Sequence, residues 1–180
     1  MILIGIALLW NPLAFSQQPS ADACERTLLP EPARKLLERK FPSWRIRTVN
    51  DLPADEQEAW RKIRGESACP GIAVGHFEAE DRDTYAVVLV PKSNNKPIYR
   101  LIVINKGRTS FAMKVLEAPN REVPVPEIYK LPPGDYDYLE SDETKRIHLT
   151  RDSFQVEIFE RAAWLYYWKN GKYHSLAVTE

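Results

Sequence analysis

The sequence predicts an α+β protein: two amino-terminal helices packed on a mainly antiparallel meander sheet, with one disulfide. Three observations carry that expectation. Apolar residues recur at helical spacing before Cys69 and at period two after it. Short polar turns separate the later apolar runs, and short connections join antiparallel neighbours. The two cysteines of the chain, Cys24 and Cys69, have no CxxC-like ligand spacing around them, so a disulfide is expected rather than a metal or redox site.

In chain order, the opening "MILIGIALLWNPLAFSQQPSADAC" is apolar from Ile2 to Trp10 and passes to "AFS", with Ala14 and Ser16 at the −3 and −1 positions of a signal-peptidase site. The apolar run is too short for a bilayer span of about 20 residues but suits the h-region of a secretory signal. No Lys or Arg precedes it. Residues 1–16 are therefore expected to be a cleavable export signal, and 17–180 a single α+β domain in the periplasm or outside the cell. In "LPEPARKLLERKFPSW" the prolines fit a first helical turn, Ala33, Leu37 and Phe41 form an apolar stripe, and Pro42 stops it. "WRIRTV" alternates apolar and basic residues and reads as a half-buried strand. The second helix, "PADEQEAWRKIRG", carries Asp55, Glu56 and Glu58 early and Arg61, Lys62 and Arg64 late, which complements the helix dipole; Gly65 ends it.

Eight strands are expected beyond Cys69: 72–77, 85–90, 98–104, 109–116, 146–149, 154–159, 163–168 and 173–178. "YAVVLV" is apolar on both faces and predicts a central strand. Asn170-Gly171 predicts a type I′ hairpin turn, which requires positive φ at both central positions. The stretch from Glu117 to Lys145 holds five prolines from Pro119 to Pro133 and reads as a long crossing loop or an edge, because proline donates no ladder hydrogen bond.

Composition narrows the function classes. With 25 basic and 25 acidic residues the formal net charge is zero, so nothing attracts a phosphate backbone and nucleic acid is an unfavoured partner. No second long apolar span follows the leader, so no membrane insertion is expected after its removal. There is no GxSxG, HExxH, P-loop or GxGxxG.

Two stretches supply candidate sites. In "RAAWLYYWKNGKYHSLAV" the predicted hairpin register opposes Trp168 to Tyr173 and Tyr167 to His174. It places Trp164, Tyr166, Trp168 and Tyr173 on one face and Leu165, Tyr167, His174, Leu176 and Val178 on the other. The aliphatic face is expected to meet the core, and the aromatic face to lie under the proline-rich segment or to serve as a ligand-binding platform for a glycan or protein surface. His174 is expected to be packed, and His148 to face solvent. In "CPGIAVGHFEAEDRDTYAVVLV", a strand continued through Glu80 would align His76, Glu78 and Glu80, an imidazole and two carboxylates suited to a divalent cation. The simpler expectation is the solvated side of a hairpin. Asp135 and Asp137 in "PPGDYDYLESD" are oxygen donors in a stretch that reads as turn.

The segment "GHFEAEDRDTYA" resembles the degenerate end of a calcium loop in FG-GAP/VCBS-type repeats, matching "GDFDGDGxxDYA" at Gly75, Phe77, Tyr85 and Ala86. His76, Glu78, Glu80 and Thr84 occupy its aspartate positions and Asp81 a glycine position, departures that disfavour calcium. "FPSWRI", "CPGIAVGHF" and "YYWKNGKY" resemble, in that order, segments of small exported bacterial proteins of unknown function. The sequence is thus expected to encode an exported binding or interaction module for a protein or glycan of the cell envelope, with no cofactor. Two alternatives accompany it: a metal-assisted hydrolase or ion-binding protein using His76 with Glu78 or Glu80, and a structural accessory subunit of the envelope.

Overall fold

The computed structural model describes residue 24 and residues 28–65, 67–93, 97–120 and 124–178. The expected leader, residues 1–16, lies outside the described residues. Helix α1 spans Glu31–Lys40 and opens on Pro30, whose carbonyl accepts from the amides of Ala33 and Arg34. It buries Ala33 and Leu37, the first two positions of the predicted stripe, with Phe41 packed beside them. Strand β1, Trp44–Ile46, and a 3-10 turn, Val49–Asp51, lead to helix α2, Ala54–Arg64. Gly65 ends α2 at φ 94°, a conformation open to glycine, and its amide donates to the Arg61 carbonyl.

Beyond Cys69 the elements are strands: β2 Ile72–Ala79, β3 Arg82–Pro91, β4 Tyr99–Lys106, β5 Phe111–Asn120, β6 Glu127–Leu131, β7 Gly134–Glu140, β8 Glu143–Leu149, β9 Ser153–Ile158, β10 Ala162–Lys169 and β11 Lys172–Val178. The α+β class and antiparallel pairing are as expected, but the strands divide between two sheets. In the first, β1 and β2 share one edge of β3, with β4 and β5 following on its other side. The second has the order β6-β9-β10-β11-β7-β8.

Two strands replace what the sequence suggested was loop. The prolines flank β6 rather than interrupt it: Pro124 and Pro126 precede it, and Pro132 and Pro133 join it to β7. Pro119 falls in edge strand β5, where the register with β4 shifts between Tyr99 and Leu101, so its missing donor costs no regular ladder bond. Asp135 and Asp137 lie on β7, paired across to His148 and Arg146 of β8, instead of in a turn. The β7–β8 connection turns on Ser141 and Asp142, at φ 52° and 66°. The same geometry recurs at Asn170 and Gly171, at φ 53° and 78°, where the sequence predicted it.

The period-two pattern of β3 and β4 builds two cores. Tyr85, Val87, Leu89, Ile102 and Ile104 face α1 and meet Leu29, Ala33, Leu37, Ile46 and Ile72. Ala86, Val88, Leu101 and Val103 face the second sheet and meet Phe77, Ile128, Phe154, Val156 and Tyr166. The layers are therefore α1, first sheet, second sheet. Cys24 and Cys69 form the expected disulfide across 45 residues, with Cα atoms 5.8 Å apart.

Candidate functional site: a cavity around Arg47 and Glu127

The aromatic hairpin forms in the predicted register, from Lys169 opposite Lys172 to Leu165 opposite Leu176. Its orientation corrects the expectation. The aromatic face meets the core, where Tyr166 stacks on Phe154 at 5.2 Å and Trp164 and Tyr173 pack against the same cluster. The rings provide the bulk needed to span two sheets, and aliphatic side chains of β3 and β4 fill the opposing side. The hydroxyls of Tyr99 and Tyr166 both donate to the Glu117 carboxylate, which ties β5 to β10 across the sheets. Burial and this hydrogen bond push both tyrosines well above their ordinary range. Trp168 stays half-buried, edge-on to Tyr173 at 4.9 Å, with Lys114 over its ring. A free ribbon of four rings does not exist: Tyr166 is 8% exposed.

His76, Glu78 and Glu80 are not brought together. Strand β2 ends at Ala79, before Glu80, and its register with β3 shifts between Gly75 and Ala79. The exposed His76 imidazole faces Asp83 at 3.4 Å, whereas Glu78 accepts from the Asn105 amide at 2.8 Å. Among the described residues no group of three or more His, Cys, Asp or Glu is placed to hold a metal ion. His148 is exposed and contacts Asp135 at 2.7 Å, and His174 stacks on Tyr167 at 5.5 Å.

A different set of residues converges at one end of the seam between the sheets. Strand β1 sends Ile46 toward α1, so Arg45 and Arg47 point the other way. Both line a cavity of about 450 Å³ with Asp51, Glu56 and Glu127, walled on its apolar side by Val90, Val125, Ile158, Phe159 and four prolines. This volume is in the range of small-molecule sites.

The frame around the cavity is held by hydrogen bonds and a close backbone approach. Arg45 grips Asp51 with two hydrogen bonds of 2.5 Å each, and the Thr48 amide donates to the same carboxylate at 2.8 Å. Burial raises the Asp51 pKa, but Arg45 and Thr48 outweigh it, and the net direction is down. Arg45 and Asp51 thus form a closed, neutral pair. Glycine is required at position 71, because a Cβ there would sit 2.3 Å from the Arg47 carbonyl oxygen. The Ile128 amide donates to Pro70, next to Cys69, and ties β6 to this wall.

Arg47 is the unusual residue. It is 4% exposed, and one terminal nitrogen donates to the Val125 carbonyl at 2.6 Å. Its Nε is buried with no hydrogen-bond partner among the described residues. A buried donor left unmade costs about 1–3 kcal/mol, and such groups are rare enough to require a cause. Burial lowers the guanidinium's pKa, an effect opposed by the charges of Glu127, Glu56 and Asp51. Glu127 is 5% exposed, and burial pushes its carboxyl from 4.5 up to about 7; Arg47 works against that rise, while Glu56 and Glu157 add to it. Burial likewise raises Glu56. Arg47 and Glu127 line the same space without an ion pair between them.

A second cavity of about 580 Å³ lies on the outer side of β6 and β9. Its polar groups are already matched. Arg64 covers the Tyr129 ring at 3.5 Å, the Tyr129 hydroxyl donates to Glu157, and Asp135 and Asp137 hold His148 and Arg146. Arg47, unlike these groups, keeps a buried donor unmet among the described residues.

Sequence reasoning missed this site, although each half left a signal. "WRIRTVND" puts two arginines on one strand face just before an acid-rich helix start, and "VPVPEIY" embeds a lone Glu127 among apolar residues and prolines. What period-two patterning could not supply was that the two segments meet. Comparison with protein-family models, curated proteins and solved structures returned no significant match.

Proposed function

We propose that this protein is an exported binding module that holds a small ligand bearing an anionic oxygen group in the Arg47 cavity. The observation that carries the proposal is the Arg47 guanidinium: more than nine-tenths buried, lining a cavity, with a donor left without a partner among the described residues. A ligand oxygen accepting from the Arg47 guanidinium would form a charge-assisted bond, and bonds of this kind are roughly twice as strong as neutral ones. Export is supported by the disulfide, which belongs to oxidising compartments, and by the leader-like apolar opening of the sequence. No described helix is long and apolar enough to cross a membrane. The ligand is then one met in the cell envelope or outside it.

The test is proton–nitrogen NMR of the Arg47 Nε–H, with acetate, N-acetylglycine, inorganic phosphate and sulfate as probes on the disulfide-bonded protein. At least one probe should move that resonance and raise the melting temperature, and Arg47→Met should abolish both effects. If none of the four probes moves the Arg47 signal at millimolar concentration, the proposal is wrong.

A further inference from the structure

We infer that the cavity selects a monocarboxylate with an apolar body, held between the Arg47 guanidinium and the protonated carboxyl of Glu127, so that a proton is taken up with the ligand. This rests on the anion-binding proposal above and adds the ligand class and its control.

Charge decides the class. Arg45 and Asp51 neutralise each other, leaving Arg47 as the positive charge facing the space and Glu56 and Glu127 as the acids. Two acids already face the one Arg47 guanidinium, so a dianion such as phosphate would add repulsion without a second cation to meet it. A monocarboxylate fits if one acid is neutral. Its two oxygens need two donors: the Arg47 guanidinium supplies one, and a protonated Glu127 supplies the other. Arg47 and Glu127 line the same cavity of about 450 Å³ and make no direct ion pair among the described residues, so a bridging group can meet both. Val90, Val125, Ile158 and Phe159 then face whatever the carboxylate carries.

Glu127 is the acid placed to carry the proton. The groups acting on it are Arg47 beyond β1, Glu56 and Arg64 of α2, and Glu157 of β9. Glu56, the other candidate, also interacts with Arg161 and Glu160. Burial and the neighbouring acids outweigh Arg47 and keep the Glu127 carboxyl protonated until about 7, near neutrality. Above that pH a ligand carboxylate would meet a second negative charge, so its affinity should fall by about tenfold per pH unit as the proton is lost.

The experiment is calorimetric titration of the disulfide-bonded protein with N-acetylglycine, acetate and inorganic phosphate at pH 6 and pH 8, each in two buffers of different ionisation heat. Expected are carboxylate binding about tenfold weaker at pH 8 than at pH 6, uptake of up to one proton per ligand at the higher pH, and much weaker binding of phosphate. Glu127→Gln, whose amide keeps a donor but cannot titrate, should bind N-acetylglycine equally at both pH values. Carboxylate binding that is flat with pH and without proton uptake in the wild type, or phosphate binding as tight as carboxylate, would overturn the inference while leaving anion binding at Arg47 standing. If no probe binds, the anion-binding proposal itself falls. The proton count needs no variant, so the inference stays testable even if Glu127→Gln fails to fold.

Discussion

Replacing Glu127 by glutamine should stabilise the protein at pH 8 and leave it unchanged near pH 4.5. Glu127 is 5% exposed, and its carboxyl keeps its proton from the ordinary 4.5 up to about 7. Between those values the folded chain binds more protons than the unfolded chain, so this group makes stability fall as pH rises through the window and level off above it. At about 1.4 kcal/mol for each pH unit, ionising Glu127 costs the fold about 3 kcal/mol. Glutamine is close in shape to the neutral acid, so the variant escapes that cost. About 3 kcal/mol is the net cost, since the value of about 7 already includes what an ionised Glu127 recovers from Arg47. Urea unfolding at pH 4.5, 6, 7 and 8, without added carboxylate, measures the gap directly, and subtracting the two proteins cancels every other titrating group. The curves should coincide at the lowest pH and separate by about 3 kcal/mol by pH 8 (an order-of-magnitude figure). A variant less stable than wild type at pH 8 would refute the reasoning, because Glu127 would then act as a stabilising counter-ion of Arg47.

Other changes probe the frame around this site. Gly71→Ala drives a methyl group into the Arg47 backbone and should lose about 2–4 kcal/mol in urea unfolding while shifting the Arg47 Nε–H signal. Replacing Cys24 and Cys69 together by serine releases a 45-residue separation and should lower stability by about 4 kcal/mol in the chain-entropy account, read from the same denaturation curves. Tyr166→Phe removes one of two hydroxyls held by Glu117 and should cost about 1–3 kcal/mol; a cost near zero would contradict a load on the inter-sheet tie.

Local pattern was legible wherever one element determined its own shape. Ala33 and Leu37 sit four residues apart and bury together in α1; the alternation of "YAVVLV" marked β3 as buried on both faces; Asn170-Gly171 set the hairpin register residue by residue. The failures share a cause. A hairpin whose two faces are both apolar enough to be buried does not reveal which one meets the core, and Leu165, at 0% exposed, is as buried as the aromatic face opposite it. The proline-rich stretch predicts a long crossing loop or an edge; Pro119 does lie on edge strand β5, but the other four prolines bound β6 instead of filling a loop. His76, Glu78 and Glu80 shared a face only while the strand was imagined straight; the register shift and the early end of β2 send their side chains to different neighbours.

The cavity was invisible for a deeper reason, and the same reason argues that it matters. Arg47 and Glu127 are 80 positions apart in chain order only by subtraction of their residue numbers; what joins them is the docking of β6 beside the Pro70–Gly71 turn. Much of the chain obeys the ordinary rules: apolar faces are covered, helix ends carry complementary charges, and the Arg45–Asp51 pair is fully engaged, although Arg100 Nε, Ser153 Oγ and His174 Nε2 are also buried without a partner among the described residues. At this seam the fold keeps, among the described residues, a guanidinium donor unmet and a carboxyl out of water in the same cavity, at a combined cost of a few kcal/mol, about a third of the stability of a typical domain. Replacing the two groups with apolar residues of similar volume would remove that cost, as buried ion pairs in other folds show. Local rules tend to be broken where function requires it. A double replacement, Arg47→Met with Glu127→Leu, should therefore unfold at higher urea than the wild type at pH 8 and bind none of the anionic probes. A double variant less stable than the wild type would instead assign the two groups a purely structural role.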